Sequence, residues 1–255
     1  MIDFDKLFGD YVTEYIHANL GKKKMEDLEA EVPELYSKWQ NTFSSELNAT
    51  PADYVANLKS SGQLAAYVDE LICAGAEIAD IVGDAFDGAD EQGLMDLFEK
   101  HEDYRHVIMG ILKNIATARP ETEKFLVETA LHSADEGLRE MAAEALFEGH
   151  PGVVDAILDE IDGLSEDVQL LAFDVLYRYP GSDRTLAKLV AHFRTGENIP
   201  LFAEYIASFG DERAIPELIA YAKSASMTKF EFREIRNAVE ALGGDMPDYN
   251  YEIVG

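Results

Sequence analysis

Four segments in the second half of the chain decide its fold: Ala142-Ala143-Glu144-Ala145-Leu146, Ala172-Phe173-Asp174-Val175-Leu176, Ala203-Glu204-Tyr205-Ile206-Ala207 and Ala238-Val239-Glu240-Ala241-Leu242. Each begins with an alanine, carries small or apolar residues three and four positions on, and precedes a break. The segments start 30, 31 and 35 residues apart. That period is about one helical hairpin, so it predicts stacked helix pairs. Positions three and four apart share one helix face, and a small residue there lets a neighbouring helix approach closely. Ala142, Ala172, Ala203 and Ala238 are therefore expected packing contacts. Two residues further on is about 200° around a helix. Glu144, Asp174, Tyr205 and Glu240 are expected to point away from the packed face.

Working outward, the first helix of each pair is expected around Phe125, Leu126 and Leu131, then Val154, Ile157 and Ile161, then Leu186, Leu189 and Phe193, then Ile215, Leu218 and Ile219. Junctions at His150-Pro151, Pro180-Gly181 and Gly210-Asp211 stop one pair and start the next. Ser133 to Glu136 and Thr228 to Glu231 both fit the capping box, in which two side chains satisfy each other's backbone donors. Towards the N-terminus, Phe4, Leu7, Phe8, Tyr11, Val12, Tyr15 and Ile16 recur at helical spacing and predict a helix from residue 3 or 4 to about 19. Thr50-Pro51-Ala52-Asp53 reads as a helix start. Further helices are expected over 64–74, 77–86, 90–101 and 104–118. No alternating strand pattern is sustained anywhere.

The chain has 255 residues, 50 acids against 21 bases and a formal charge of −29. Residues 1–119 carry 23 acids and 10 bases, and residues 120–255 carry 27 and 11, so the excess is global. Between Lys59 and Lys100, and again between Arg139 and Arg178, there are ten acids and no lysine or arginine. Such a field repels phosphate backbones and anionic membranes, which excludes nucleic-acid binding as an expectation. No apolar stretch approaches the roughly 20 residues of a membrane helix. The N-terminus has no basic, apolar signal pattern, and the single cysteine, Cys73, allows no internal disulfide. A cytoplasmic location is the expectation.

The stretch Gly210-Asp211-Glu212-Arg213-Ala214-Ile215-Pro216-Glu217-Leu218-Ile219, followed by Arg236 and Ala238-Val239-Glu240-Ala241-Leu242-Gly243, resembles the HEAT-like (phycobilin-lyase-type) helical repeat. The units at 120–150 and 151–181 match mainly in their second helices. The unit at 182–210 keeps Asp183-Arg184 but lacks the proline. The resemblance implies an all-α, right-handed solenoid of stacked antiparallel helix pairs, with second helices lining a concave face. The domain reading is an N-terminal helical region at 1–60, a helical region of degenerate repeats at 61–119, and about four HEAT-like repeats with a short tail at 120–255. The resemblance also implies binding rather than chemistry.

Within that family, deoxyhypusine hydroxylases hold two irons with four His-Glu dipeptides, and only His101-Glu102 occurs here. His101 and His106 lack the spacing that puts two metal ligands on one helical face. His150 lies at a helix junction, where a capping or solvent-exposed role is expected. Cys73 sits in an apolar run and is expected to be buried. The acids around Gly88 and around Gly163 do not have EF-hand spacing. No Walker, dinucleotide, nucleophile-elbow or C-x-x-C motif occurs. No metal or cofactor is expected. The column Glu144, Asp174, Tyr205 and Glu240 suits a basic protein or peptide held by charge-assisted hydrogen bonds. The functional expectation is a non-catalytic interaction scaffold with an acidic groove. A lyase-type or ligand-handling protein is the alternative.

Overall fold

Short polar side chains set where many of the helices begin. The computed structural model of the chain describes residues 2–224 and 226–246. Asp3 accepts the Lys6 N–H at 2.8 Å and opens α1 (Phe4–Asn19). After α2 (Met25–Ala30) and α3 (Val32–Gln40), Thr50 accepts the Asp53 N–H at 3.1 Å and opens α4 (Pro51–Ser60). Then come α5 (Leu64–Cys73), α6 (Asp80–Gly83), α7 (Glu91–Lys100) and α8 (Arg105–Ile115). The second half holds α9 (Pro120–His132), α10 (Glu136–Ala145), α11 (Val153–Glu160), α12 (Glu166–Leu176), α13 (Asp183–Thr195), α14 (Ile199–Phe209), α15 (Ile215–Ser224) and α16 (Lys229–Ala241). Three short 3₁₀ turns complete the regular structure, and the described residues form no strand. The chain is all-helical. No described helix is long and apolar enough to cross a membrane.

Two local expectations change. The helix expected over 77–86 shrinks to the four residues of α6, because Gly75, Gly83 and Gly88 punctuate too short an apolar run. The box expected at Ser133 does not form. Asp135 caps α10 by accepting the Leu138 N–H at 3.0 Å, while Ser133 ends α9 and accepts the Asp135 N–H at 3.2 Å. The box at Thr228 does form, with the Thr228 N–H on Glu231 at 2.6 Å and the Glu231 N–H on Thr228 at 3.2 Å.

The chain divides into two units, residues 1–116 and 117–255. The first is organised by aromatic rings drawn from distant parts of its sequence. Phe4 lies 6.3 Å from Trp39 and 6.3 Å from Tyr67, Phe8 lies 4.9 Å from Tyr36, and Tyr36 lies 5.5 Å from Trp39. Most of these contacts are edge-on or tilted, as ring quadrupoles favour. The Tyr67 hydroxyl donates to the Ile2 carbonyl at 2.7 Å, tying the start of the chain to α5. Burial pushes that phenol's pKa up. Leu94, Leu97, Phe98, Ile108, Met109 and Leu112 bury the facing sides of α7 and α8. Helix α7 also comes close to α5: a β-carbon placed on Gly93 would meet the Ala65 β-carbon at 2.9 Å.

The second unit is built by pairwise packing. Helices α9 and α10, α11 and α12, α13 and α14, and α15 and α16 pack together, and α9 also touches α11, α10 touches α12, and α14 touches α16. Ala142, Ala172, Ala203 and Ala238 are 0%, 1%, 0% and 2% exposed, so each lies in these seams. Ion pairs join residues about one hairpin apart. Arg184 reaches Asp155 at 2.9 Å and Asp159 at 2.5 Å, and Arg213 reaches Asp183 at 2.7 Å as well as its own Asp211 at 2.5 Å. Arg139 reaches Asp167 at 3.4 Å, and a hydrogen bond of 2.7 Å joins the His132 ring to Glu160.

Candidate functional site

The second helices α10, α12, α14 and α16 carry the four residues expected to form a column. Glu144 and Glu240 are exposed, and Asp174 is half-buried. Tyr205 is not on the outer face. It is only 5% exposed, its ring stacks on Tyr177 at 4.7 Å and 16°, and its hydroxyl donates to Asp174 Oδ1 at 2.8 Å. Burial first, and then the hydrogen bond to the Asp174 carboxylate, raise the pKa of this phenol.

The cause is a one-residue slip in the spacing of the buried positions. Residues 142–146 and 172–176 share one burial order: two buried, one exposed or half-buried, two buried. The same order recurs at 202–206, so Phe202, and not Ala203, stands where Ala142 and Ala172 stand. The outward residue of α14 is therefore Glu204, and 144, 174 and 204 are evenly spaced. The alanine column misleads because Phe202 is large. Its ring meets Phe173 edge-on at 5.1 Å. The visible signal was the pair itself: a charged Glu204 beside an aromatic Tyr205, only one of which suits a seam.

Around Asp174 the surface is partly aromatic. The Arg178 guanidinium lies 3.9 Å from the Phe147 ring centre and 4.9 Å from that of Tyr177, and its Nε donates to the Asp174 carbonyl at 2.9 Å. Cation–π attraction of this kind holds an arginine against its own chain. Of the four expected residues, the structure thus joins Asp174 directly to Tyr205.

A second acidic feature lies between first helices. A cavity of about 460 Å³ opens between α9 and α11, with Val127, Val153 and Ala156 as apolar walls and Glu123, Glu128 and Glu160 as acids. Glu123 sits over Gly152, where any β-carbon would clash with a carboxylate oxygen. Beside it His150 is 2% exposed, and so is not the solvent-exposed residue its junction position suggests. Its Nδ1 lies 3.6 Å from Glu123 Oε1, and its backbone N–H donates to the Tyr179 hydroxyl at 3.0 Å. That hydroxyl donates in turn to the Leu146 carbonyl, so the junction is a buried, hydrogen-bonded clasp. Cys73, expected to be buried, is exposed, because α5 ends there and its apolar face is completed by Leu71 and Ile72.

No known family model matches the chain, and neither a curated protein nor a solved structure matches it.

Proposed function

We propose that the protein is a non-catalytic binding module for a basic protein segment, built as a HEAT-like array of helix pairs in residues 120–244. Two features support the array. Consecutive pairs touch first helix to first helix at α9 and α11, and second to second at α10 and α12. The Asp-Arg motif of the repeat acts between units, since Arg213 bridges Asp211 of its own unit and Asp183 of the preceding one.

One observation carries the binding reading. The arginines of this region are engaged within the chain, and Glu144, Glu204 and Glu240 are exposed on second helices. Arg139, Arg184, Arg194, Arg213 and Arg233 each pair with a carboxylate, and Arg178 lies on two aromatic rings. With these arginines so held, the excess of 27 acids over 11 bases in residues 120–255 is left to attract an external cation-rich partner. Surface complementarity of this kind sets encounter rate and salt dependence more than close fit.

The test is binding of a lysine- and arginine-rich peptide to the full chain, followed across ionic strength. Binding should weaken steeply with salt. It should fall at least tenfold when Glu144, Glu204 and Glu240 are changed together to lysine, with the helical spectrum unchanged. Affinity indifferent to both salt and the triple change overturns the acidic-column reading.

A further inference from the structure

Three potential metal ligands that are distant in the sequence meet in the first unit. Asp69 and Cys73 lie one turn apart on α5, and His101 caps the end of α7. Their ligand atoms, an aspartate oxygen, Cys73 Sγ and a His101 ring nitrogen, all lie within 4.8 Å of one another. Asp69 Oδ1 and His101 Nε2 are 2.6 Å apart. Cys73 is the last residue of α5 and Lys100 the last of α7, so two helix C-termini arrive at one place. The carbonyl-rich end of a helix favours a cation.

A cation already stands there. The Lys100 ammonium lies 2.7 Å and 2.6 Å from the two Asp69 oxygens. The Lys100 side chain is 57% exposed on a flexible stem, so it can leave without disturbing the core.

We propose that Asp69, Cys73 and His101 form a binding site for a divalent ion of the zinc class, in which the ion takes the place now held by the Lys100 ammonium. The donor set decides the class. Thiolate and imidazole select zinc or cobalt over magnesium or calcium, which prefer oxygen alone. Tetrahedral zinc with these bond lengths needs donors about 3.3–3.8 Å apart. The exposed Cys73 side chain can close to that separation, and the Asp69–His101 pair can open to it. The proton balance follows from these contacts. The Cys73 thiol gives its proton to solvent, the Nε2 proton that Asp69 now accepts leaves through solvent so that the imidazole is protonated on Nδ1 alone, and Lys100 carries its charge out into water. Three protein ligands leave a fourth position for water. Bound there, the ion ties the end of α5 to the end of α7. This inference is independent of the peptide-binding reading, which rests on the other unit.

The experiment titrates the full chain, stripped with a chelator, with Co²⁺ alone and then Zn²⁺ alone. One equivalent of cobalt should produce the near-ultraviolet sulfur-to-cobalt charge-transfer band, and zinc should abolish it by displacement. Cys73→Ser should lose the band and His101→Ala should weaken binding at least tenfold, each with an unchanged helical spectrum. Lys100→Gln should tighten binding several-fold, because the competing ammonium is gone. The Lys100 variant separates this site from general attraction to acids, which loss of a positive charge would strengthen without any sulfur band. The proposal is overturned if stoichiometric cobalt gives no such band, if Cys73→Ser binds as the parent does, or if excess Mg²⁺ removes the cobalt.

Discussion

The two units of this chain are equally helical and similarly acidic, yet they are held together differently. Residues 2–116 use irregular helices of 4 to 16 residues around large rings, with Phe4, Phe8, Tyr36, Trp39, Tyr54 and Tyr67 converging from four helices. Residues 117–246 use α-helices of 8 to 13 residues, buried alanines in the seams and ion pairs between residues about 30 positions apart. The first design concentrates burial in a few side chains. The second spreads it over a period. The difference teaches that one composition can support a core that is lost at a point and another that is lost by degrees.

The sharpest way to break this comparison is at Trp39, which is 4% exposed among Phe4, Phe8 and Tyr36. Trp39→Ala should destabilise the first unit by about 3–5 kcal/mol, as truncation of a buried aromatic does. Urea unfolding followed by far-ultraviolet circular dichroism measures it. A loss no larger than that of a single seam variant in the second unit would erase the contrast.

Next come the seams. Ala142→Leu or Ala172→Leu adds bulk where exposure is 0% and 1%. Overpacking should cost roughly 1–3 kcal/mol in either case. Equal costs at the two positions support a repeated seam, while an unchanged melting temperature at both removes it.

Tyr205→Phe is smaller. It deletes the hydroxyl that Asp174 accepts at 2.8 Å and leaves the stacked ring in place. The expected loss is about 1 kcal/mol, since Asp174 is half-buried and water can replace part of the bond. Asp174→Asn in the Tyr205→Phe background should then cost almost nothing further, and a double-mutant cycle reads that coupling.

The smallest effect concerns acid. His192 lies between Phe173, 4.6 Å away, and Phe202, 5.4 Å away. Burial first, and then Lys188, lower its pKa from the ordinary 6.5, while Asp162 and Glu197 oppose them. The unfolded chain therefore binds a proton more readily than the folded one. Stability from this group is present above 6.5 and is lost as pH falls from 6.5 towards the lower folded value. His192→Phe should flatten that part of the melting-temperature profile. An identical profile in parent and variant assigns the acid sensitivity elsewhere.

The existence of the helices was legible where periodicity and caps agreed. Phe4 to Asn19, the Thr50 start and the Thr228 box all rest on local hydrogen bonds that the sequence spells out. The capping of α10 was not, since Asp135 competes with Ser133 for the same donors and only the turn geometry chooses Asp135. In the acidic column, Glu144 and Glu240 were legible as outward positions because charge resists burial. Tyr205 was misplaced, because an amphipathic ring suits either face and Phe202 shifts the seam by one residue. His101 beside Asp69 and Cys73 was invisible for a different reason. Two ligands one turn apart on α5 meet a third that lies about thirty residues away.

By itself, the sequence determined that this chain is helical and acidic. Those properties follow from period, composition and local caps, which act over a few residues or add up over all of them. The tertiary structure alone decided which ring filled the α14 seam, which arginine met which aspartate, and that α7 ends beside α5. The close approach of Gly93 to Ala65 brings those two helices together. Such outcomes depend on how whole helices fit against each other, and that fit is a property of their shared surface, which no single stretch of the sequence contains.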